Sequence, residues 1–169
     1  MHRLFEKQLG RNWERSLAEN PAHLQRITDM HDGELWETHV LLKQNLIQAV
    51  RDNLMKATER RKEDPKKWAS VLDPAKLTIG FSRRFATYKR ATLLLEDLER
   101  IKKLVNDPNK PVQFIYAGKA HPADEPGKSL IKALFELSRT PEFFGKLVFV
   151  EDYDIGISRF LVQGVDVWL

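Results

Sequence analysis

The sequence predicts an α/β protein in which a parallel sheet follows a helical N-terminal segment. A long stretch before residue 68 has apolar residues at helical spacing. From Leu77 onward, short apolar runs alternate with amphipathic segments, each long enough for one crossover helix. Repeated strand–helix units of this size form parallel sheets with right-handed crossovers. We therefore divide the chain into a helical lead-in, residues 1–68, and an α/β segment, residues 69–169.

The helical lead-in begins with short helical pieces that are interrupted at Gly10 and at Asn20-Pro21. A long amphipathic helix is predicted over about residues 33–61, because apolar residues recur along one of its faces. Asp32 is expected to cap the N-terminus of this helix. The charged stretch that follows, residues 60–67, contains a proline and is expected to be a solvated connection.

Four apolar runs in the second segment are predicted to be strands: residues 77–81, 112–117, 147–150 and 165–169. The first crossover helix has apolar residues at helical spacing, namely Ala91, Leu94, Leu95, Leu98, Ile101 and Val105. Pro126 is well placed at the start of the second helix, because its fixed φ suits the first helical turn. A third helix is expected at about residues 155–163.

The composition is that of a globular protein, with 42% hydrophobic and 31% charged residues in a chain of 169. Twenty-eight basic residues against 24 acidic ones leave a net charge of +4, which is too small an excess to indicate a nucleic-acid partner. No apolar run is long enough to span a membrane. The chain has no cysteine, which fits a reducing compartment. We expect a cytoplasmic protein with no nucleic-acid or membrane partner.

The most informative segment is residues 78–90, where four cations and a tyrosine follow the first predicted strand: Arg83, Arg84, Tyr88, Lys89 and Arg90. In parallel sheets, ligands bind beyond the carboxyl ends of the strands. The loops after the next two strands add Lys119, His121 and Tyr153 at the same edge. Cations at the start of a helix oppose the helix dipole, so a ligand-binding role is favoured over a merely solvated basic surface. We expect these groups to bind one anion, a phosphate.

Other motifs are less specific. Residues 118–122 suit either a ligand loop or an ordinary turn, and Gly127-Lys128-Ser129 resembles only the end of a phosphate-binding loop. The acidic residues 151–154 could serve metal or acid–base chemistry, but capping of the following helix is the better interpretation. The five histidines, at positions 2, 23, 31, 39 and 121, have no metal-ligand spacing, so no metal site is predicted.

Three blocks, residues 78–90, 116–128 (YAGKAHPADEPGK) and 149–169, resemble the C-terminal catalytic domain of bacterial α-glucan phosphorylases, which act on glycogen, starch or maltodextrin. The N-terminal stretches LFEKQLGRNWERSL and GELWETHVLLKQNL are similar to the segment that leads into that domain. The resemblance implies a Rossmann-like domain, one of the two that face each other in the glycosyltransferase B architecture. It also implies cleavage of terminal α-1,4-glucosyl bonds by orthophosphate, which releases glucose 1-phosphate, with pyridoxal phosphate as cofactor.

The resemblance also implies roles for single residues. Arg84 and Lys89 match the catalytic positions that hold the substrate phosphate, and Tyr88 lies beside the sugar. Arg83 and Tyr153 match positions near the cofactor. Lys119 and His121 join the substrate-binding set because their loop meets the others. Two phosphates in contact repel each other, and clustered guanidinium and ammonium groups offset that repulsion.

One departure from the family affects the expected activity. The family's cofactor lysine lies in a Gly/Ser-rich loop ending in Met-Lys, which this sequence lacks, and the chain stops inside an apolar run at residues 165–169. We therefore expect a fragment that is inactive alone and associates through surface left uncovered. Two alternatives stay open. One is a nucleotide-sugar glycosyltransferase, whose architecture also uses an arginine and a lysine five residues apart. The other is a non-catalytic anion- or glucan-binding module.

Overall fold

The structure, a computed structural model, describes residues 2–169 apart from the side chains of residues 23 and 24. It divides into two compact units, Met1–Leu42 and Lys43–Leu169. The first unit contains helix α1 (His2–Leu9), helix α2 (Trp13–Glu19), a 3₁₀ helix (Pro21–Asp29) and the start of helix α3 (Asp32–Arg60). The helices in this region are interrupted at Gly10 and at Asn20, in agreement with the breaks predicted at Gly10 and at Asn20-Pro21. The domain boundary predicted at residue 68 stays a prediction.

Helix α3 has 29 residues, and its bounds differ by one residue from the prediction. The predicted Asp32 cap is wrong. Asp32 is the first helical residue, and the Nδ1 atom of His31 accepts a hydrogen bond from the Gly33 N–H at 3.1 Å. The imidazole of His31 thus caps the helix in place of the expected carboxylate. It binds the Gly33 N–H, which is in the first turn and has no hydrogen-bond partner within the helix.

The second unit contains a four-stranded sheet and three further helices. The strands are β1 (Leu77–Ser82), β2 (Val112–Ala117), β3 (Leu147–Val150) and β4 (Val167–Trp168), and the helices are α4 (Leu98–Val105), α5 (Glu125–Leu137) and α6 (Ile155–Gly164). All strand pairs are parallel, in the order β3-β2-β1-β4. This order is that of the first half of a Rossmann sheet with its next strand, so the predicted fold class is confirmed.

Two elements differ from the sequence-based expectation. The single helix expected after β1 is broken into 3₁₀ turns at Thr87–Lys89 and Leu93–Asp97, followed by α4. The Asp97 carboxylate caps the start of α4 by accepting a hydrogen bond from the Arg100 N–H at 3.0 Å. Leu98, which the sequence placed on the apolar face of the expected helix, is 41% exposed. Strand β4 is also shorter than expected: at Asp166 the backbone N–H donates to the Thr78 carbonyl at 2.9 Å, but it is the Asp166 side chain that accepts from the Thr78 N–H.

The sheet separates two apolar cores. On one face, Ile115 and Val148 pack with the buried stripe of α3 that includes Leu46 and Val50. On the other face, the core contains six aromatic residues: Phe81, Phe85, Phe114, Tyr116, Phe143 and Phe149. Strand β2 is buried at every position, because successive side chains enter opposite cores. Such continuous burial explains why β2 reads as an uninterrupted apolar run.

A buried polar network closes the amino ends of β1 and β4. The Nζ atom of Lys43 lies 2.6 Å from Oδ2 of Asp166, with side-chain exposures of 3% and 11%. The same carboxylate oxygen accepts a hydrogen bond from the Thr78 N–H at 2.7 Å. Gln113 Nε2 donates to Thr78 Oγ1 at 2.8 Å. This network joins α3 to the central strands and lies at the edge of the sheet away from the predicted ligand loops.

The connection after α3 is less solvated than expected. Arg61, Glu63 and Lys67 are each about one-third exposed, and Glu63 bonds to both Lys67 and Arg139. Ion pairs therefore tie this connection to the residues that follow α5. Among the described residues, no helix is both long and apolar enough to cross a membrane.

Candidate anion-binding site

Two glycines let the loop after β1 pass close to the loop after β2. At Gly118, φ is +150°, and an added Cβ atom would lie 2.2 Å from the carbonyl oxygen of Arg83. At Gly127, an added Cβ would lie 2.3 Å from the carbonyl oxygen of Phe85. The two loops are also joined directly, because the Phe85 N–H donates to the Lys119 carbonyl at 3.0 Å. Only glycine permits this approach of two backbones.

The approach creates a cleft of about 350 Å³ at the carboxyl ends of the strands. Its lining residues include Arg83 and Arg84 after β1, Lys119 and His121 after β2, and Tyr153 after β3. The structure thus brings together five of the eight residues that the sequence singles out, and Arg90 is not among the residues that line the cleft. Ala120 and Pro122 also line the cleft, and their apolar side chains had no signal in the sequence beyond their place in the loop.

Tyr88 and Lys89 lie elsewhere. They belong to the 3₁₀ turn Thr87–Lys89, and neither is among the residues that line the cleft. The Nζ atom of Lys89 lies 4.8 Å from the ring centroid of Tyr88, a cation–π contact, and Tyr88 is 70% exposed. Their predicted roles in holding phosphate and sugar stay predictions.

The cleft is strongly cationic. Within the described part of the chain, none of its lining residues is acidic, and the side chains of Arg83, Arg84 and Lys119 form no ion pair. Uncompensated cations that share a concave surface attract anions and repel one another. A phosphate bound between them would relieve that repulsion and accept hydrogen bonds from the planar guanidinium groups.

The ring of His121 is held in place by its own turn. Its Nδ1 atom accepts a hydrogen bond from the Ala123 N–H at 3.1 Å, and its carbonyl accepts one from the Asp124 N–H at 2.8 Å. In a neutral imidazole whose Nδ1 is an acceptor, the proton is on Nε2. His121 can therefore offer the Nε2–H group as a donor without losing its bond to the turn.

The acidic residues nearby are already engaged. Asp124 caps α5 by accepting from the Gly127 N–H at 2.9 Å, and Asp154 caps α6 by accepting from the Ile157 N–H at 2.9 Å. Glu151 and Asp152 instead pair with Arg61 and Arg60 at the end of α3. Capping is therefore correct for Asp154, whereas the other two carboxylates make ion pairs that the sequence did not reveal.

The remaining motifs add no ligand groups. Lys128 pairs with Glu125, and Ser129 Oγ donates to the Glu125 carbonyl at 3.0 Å, so both side chains are used within α5. Across the described residues, no group of three or more histidine, aspartate or glutamate side chains is arranged to hold a metal ion. The side chain of His23, one of the five histidines considered, lies outside the described residues.

Comparison with known proteins gives relatives along the whole chain. The chain is 44% identical over 172 residues to the glycogen phosphorylase of Aquifex aeolicus, a match that covers 100% of this chain and 25% of that protein. It is 45% identical over 168 residues to the maltodextrin phosphorylase of Thermococcus litoralis, covering 99% of this chain and 20% of the relative. The glycogen phosphorylase of Mycobacterium bovis is 39% identical over 166 residues, with coverage of 96% and 19%. No family model matches the chain.

These relatives confirm the resemblance that the three sequence blocks carry. The chain spans about a fifth to a quarter of the length of the curated relatives it matches. The aligned region includes the cationic cleft, since the match covers 96–100% of the chain in each case. Over nearly its whole length, therefore, the chain matches one segment of the α-glucan phosphorylases.

Proposed function

We propose that this chain supplies the phosphate-binding part of an α-glucan phosphorylase, a glycosyltransferase that releases glucose 1-phosphate from glucan ends by using orthophosphate. The observation that carries the proposal is the cleft in which Arg83, Arg84 and Lys119 meet without an acidic partner among the described residues. The names of the relatives favour a phosphorylase over a nucleotide-sugar glycosyltransferase.

The residues divide naturally into two groups around a bound phosphate. Arg84 and Lys119, which follow neighbouring strands, would hold the substrate phosphate, and the Nε2–H group of His121 would add a donor. Arg83 and Tyr153 would lie toward the cofactor. Lys89 and Tyr88, on the adjacent 3₁₀ turn, would reach phosphate and sugar if the turn moves toward the cleft when substrate binds.

The cleft fits pyridoxal phosphate in its charge: three cationic side chains suit a site where a cofactor phosphate and a substrate phosphate come together. When bound, that cofactor supplies a phosphate group that exchanges a proton with the substrate phosphate. The chain's own residues contribute electrostatic stabilisation, because fixed guanidinium groups need no reorganisation as charge develops on the phosphate oxygens. A cytoplasmic location, an α-1,4-glucan substrate and possible self-association belong to the same proposal.

The first test measures phosphate binding to the chain itself by titration calorimetry. We expect Arg84→Gln to weaken binding about tenfold, the effect of losing one charge-assisted contact. The control is Arg159→Gln, which removes the same charge from an exposed position on α6. Equal weakening by both substitutions would show that only net charge matters and would contradict a specific site.

The second test addresses catalysis in a longer protein. In the glycogen phosphorylase of Aquifex aeolicus, the residue aligned with Arg84 is replaced by glutamine, and kcat/KM for phosphate is measured. We expect a loss of about a hundredfold or more, as for removal of one preorganised donor to a charged transition state. An unchanged kcat/KM would exclude the proposed role while leaving phosphate binding by the isolated chain intact.

A further inference from the structure

A second basic cavity lies at the opposite edge of the sheet from the cleft. Its volume is about 530 Å³, and its lining includes residues that precede β1, such as Asp73 and Lys76, and residues that precede β3, such as Lys146. The cleft described above follows the carboxyl ends of the same strands. The two cavities therefore cannot share one ligand, and the second requires its own explanation.

The lining of this cavity has an excess of positive charge. Four cationic residues face a single acidic one: Arg51, Lys67, Lys76, Lys146 and Asp73. The Asp73 carboxylate is partly engaged, because its Oδ1 atom accepts a hydrogen bond from the Ala75 N–H at 2.9 Å. Lys67 is paired with Glu63 at 2.8 Å. The other three cations are Arg51, Lys76 and Lys146. The only carboxylate in the cavity lining is that of Asp73, which is already partly engaged.

Arg51 is the best positioned of these cations. It is half-buried, and its Nε and Nη2 atoms donate to the carbonyls of Val71 and Leu72, both at 2.8 Å. Carbonyl groups orient a guanidinium but do not neutralise it, and no carboxylate among the described residues pairs with Arg51. A half-buried charge without a counter-ion is unfavourable, so an anion in the cavity would be stabilised there.

The two nearby lysines complete the site. Lys146 Nζ donates hydrogen bonds to Oδ1 of Asn106 and to the carbonyl of Glu142, and its charge contributes to the lowered pKa of the Glu142 carboxyl, which is outside the cavity lining. The side chain of Lys76 makes no hydrogen bond or ion pair with any described residue, although its backbone carbonyl accepts from Lys43. Ser70 supplies a hydroxyl, and Phe144 forms an apolar wall. Guanidinium, ammonium and hydroxyl groups around one space are donors that suit phosphate oxygens.

We propose that the cavity at the amino ends of β1 and β3, with Arg51, Lys76 and Lys146 as its cationic groups, is a second anion site that binds the phosphate group of a small phosphorylated molecule. A volume of about 530 Å³ is in the range of small-molecule sites and too small for a macromolecule. The site lies at the opposite edge of the sheet from the cleft lined by Arg83 and Arg84. Its ligand would therefore act as an effector and not as a substrate.

The test is a titration of the full 169-residue chain, ¹⁵N-labelled, with inorganic pyrophosphate, followed by amide chemical shifts. We expect saturable shifts at residues 70–76 and 144–146. Lys76→Gln should weaken this binding about tenfold, since one charge-assisted contact is lost, and should not unfold the chain because its side chain has no described partner. Lys146→Gln should also weaken pyrophosphate binding.

Two controls separate this site from other effects. Lys66→Gln makes the same change in charge at an exposed neighbouring position outside the cavity lining and should leave the shifts unchanged. Arg84→Gln alters only the cleft at the other edge of the sheet. The shifts at residues 70–76 should still saturate, with an unchanged affinity for pyrophosphate. Shifts that fail to saturate, that Lys66→Gln reduces as much as Lys76→Gln, or that disappear with Arg84→Gln would each overturn the proposal.

Discussion

Gly118 shapes the cleft as much as the cations do. The backbone at this position has φ of +150°, and an added Cβ would lie 2.2 Å from the Arg83 carbonyl oxygen and 2.8 Å from the Phe85 ring. The residue therefore sets the distance between the loop that carries Arg83 and Arg84 and the loop that carries Lys119. Any larger residue must separate the loops or distort the backbone.

We expect Gly118→Ala to lower the free energy of unfolding by about 2–4 kcal/mol, because a backbone clash adds to an unfavourable φ. Phosphate binding should weaken as well, since the cations move apart. Denaturant unfolding and phosphate titration measure the two effects. Gly145→Ala is the control, because Gly145 also has positive φ (+74°), but the nearest atom to an added Cβ would be Cγ1 of Val71 at 3.3 Å. Its expected cost is about 1 kcal/mol. Equal costs for the two substitutions would show that the loop contact is unimportant.

The connection after α3 is held to the end of α5 by Glu63. Its carboxylate accepts hydrogen bonds from Arg139 and Lys67, which lower its pKa from 4.5 to about 2. Arg61 and Arg139 both lie over the ring of Phe135, with guanidinium carbons 5.1 and 5.2 Å from its centroid. Two elements distant in sequence therefore meet around one carboxylate and one aromatic ring.

The lowered pKa of Glu63 predicts a dependence of stability on pH. Because the folded-state pKa lies below the unfolded value, the ionised carboxylate stabilises the fold fully above about pH 4.5, and this contribution disappears as pH falls through about 2. The difference in unfolding midpoint between wild type and Glu63→Gln should therefore shrink over that interval. Glu99→Gln, an exposed change on α4, should show no such trend. A Glu63→Gln difference that is constant with pH would contradict the assignment.

Several apolar side chains of the second unit are exposed near strand β4. At the β4 edge of the sheet, Val167, Trp168 and Leu169 are each about 40% exposed. On the neighbouring α6, Ile155 is 86% and Val162 is 65% exposed. Among residues 2–169, β4 pairs only with β1, so the other side of β4 is a sheet edge. A free strand edge next to apolar side chains is a surface on which other chains can pair.

We expect the chain to associate as its concentration rises, with β4 in the contact. Light scattering across a concentration series measures the mass, and Val167→Lys should shift the transition to higher concentration because a lysine on an edge strand opposes pairing. Leu104→Lys is the matched control, since Leu104 is 41% exposed on α4, away from that edge. A monomeric mass at every concentration, or an equal effect of both lysines, would contradict the prediction.

The sequence by itself determined the fold class and the region of the site. The strands are apolar runs and the crossovers have helical periodicity, so short-range patterns sufficed to place β2 and β3 with their observed bounds. Because parallel strands end at one edge, the loops that carry Arg84, Lys119 and Tyr153 could be grouped without coordinates. The resemblance to phosphorylases rested on these same residues.

Only the tertiary structure decided which side chains meet. The helix expected after β1 is broken by turns between residues 87 and 97 and begins again at the Asp97 cap. These turns also keep Lys89 away from the cleft. The sequence did not reveal the break, because the same residues also fit a continuous helix. The pairing of Lys43 with Asp166 joins residues more than a hundred positions apart. The cavity around Arg51 likewise collects cations from three separate segments. Such contacts depend on packing in three dimensions, which local periodicity and spacing do not encode.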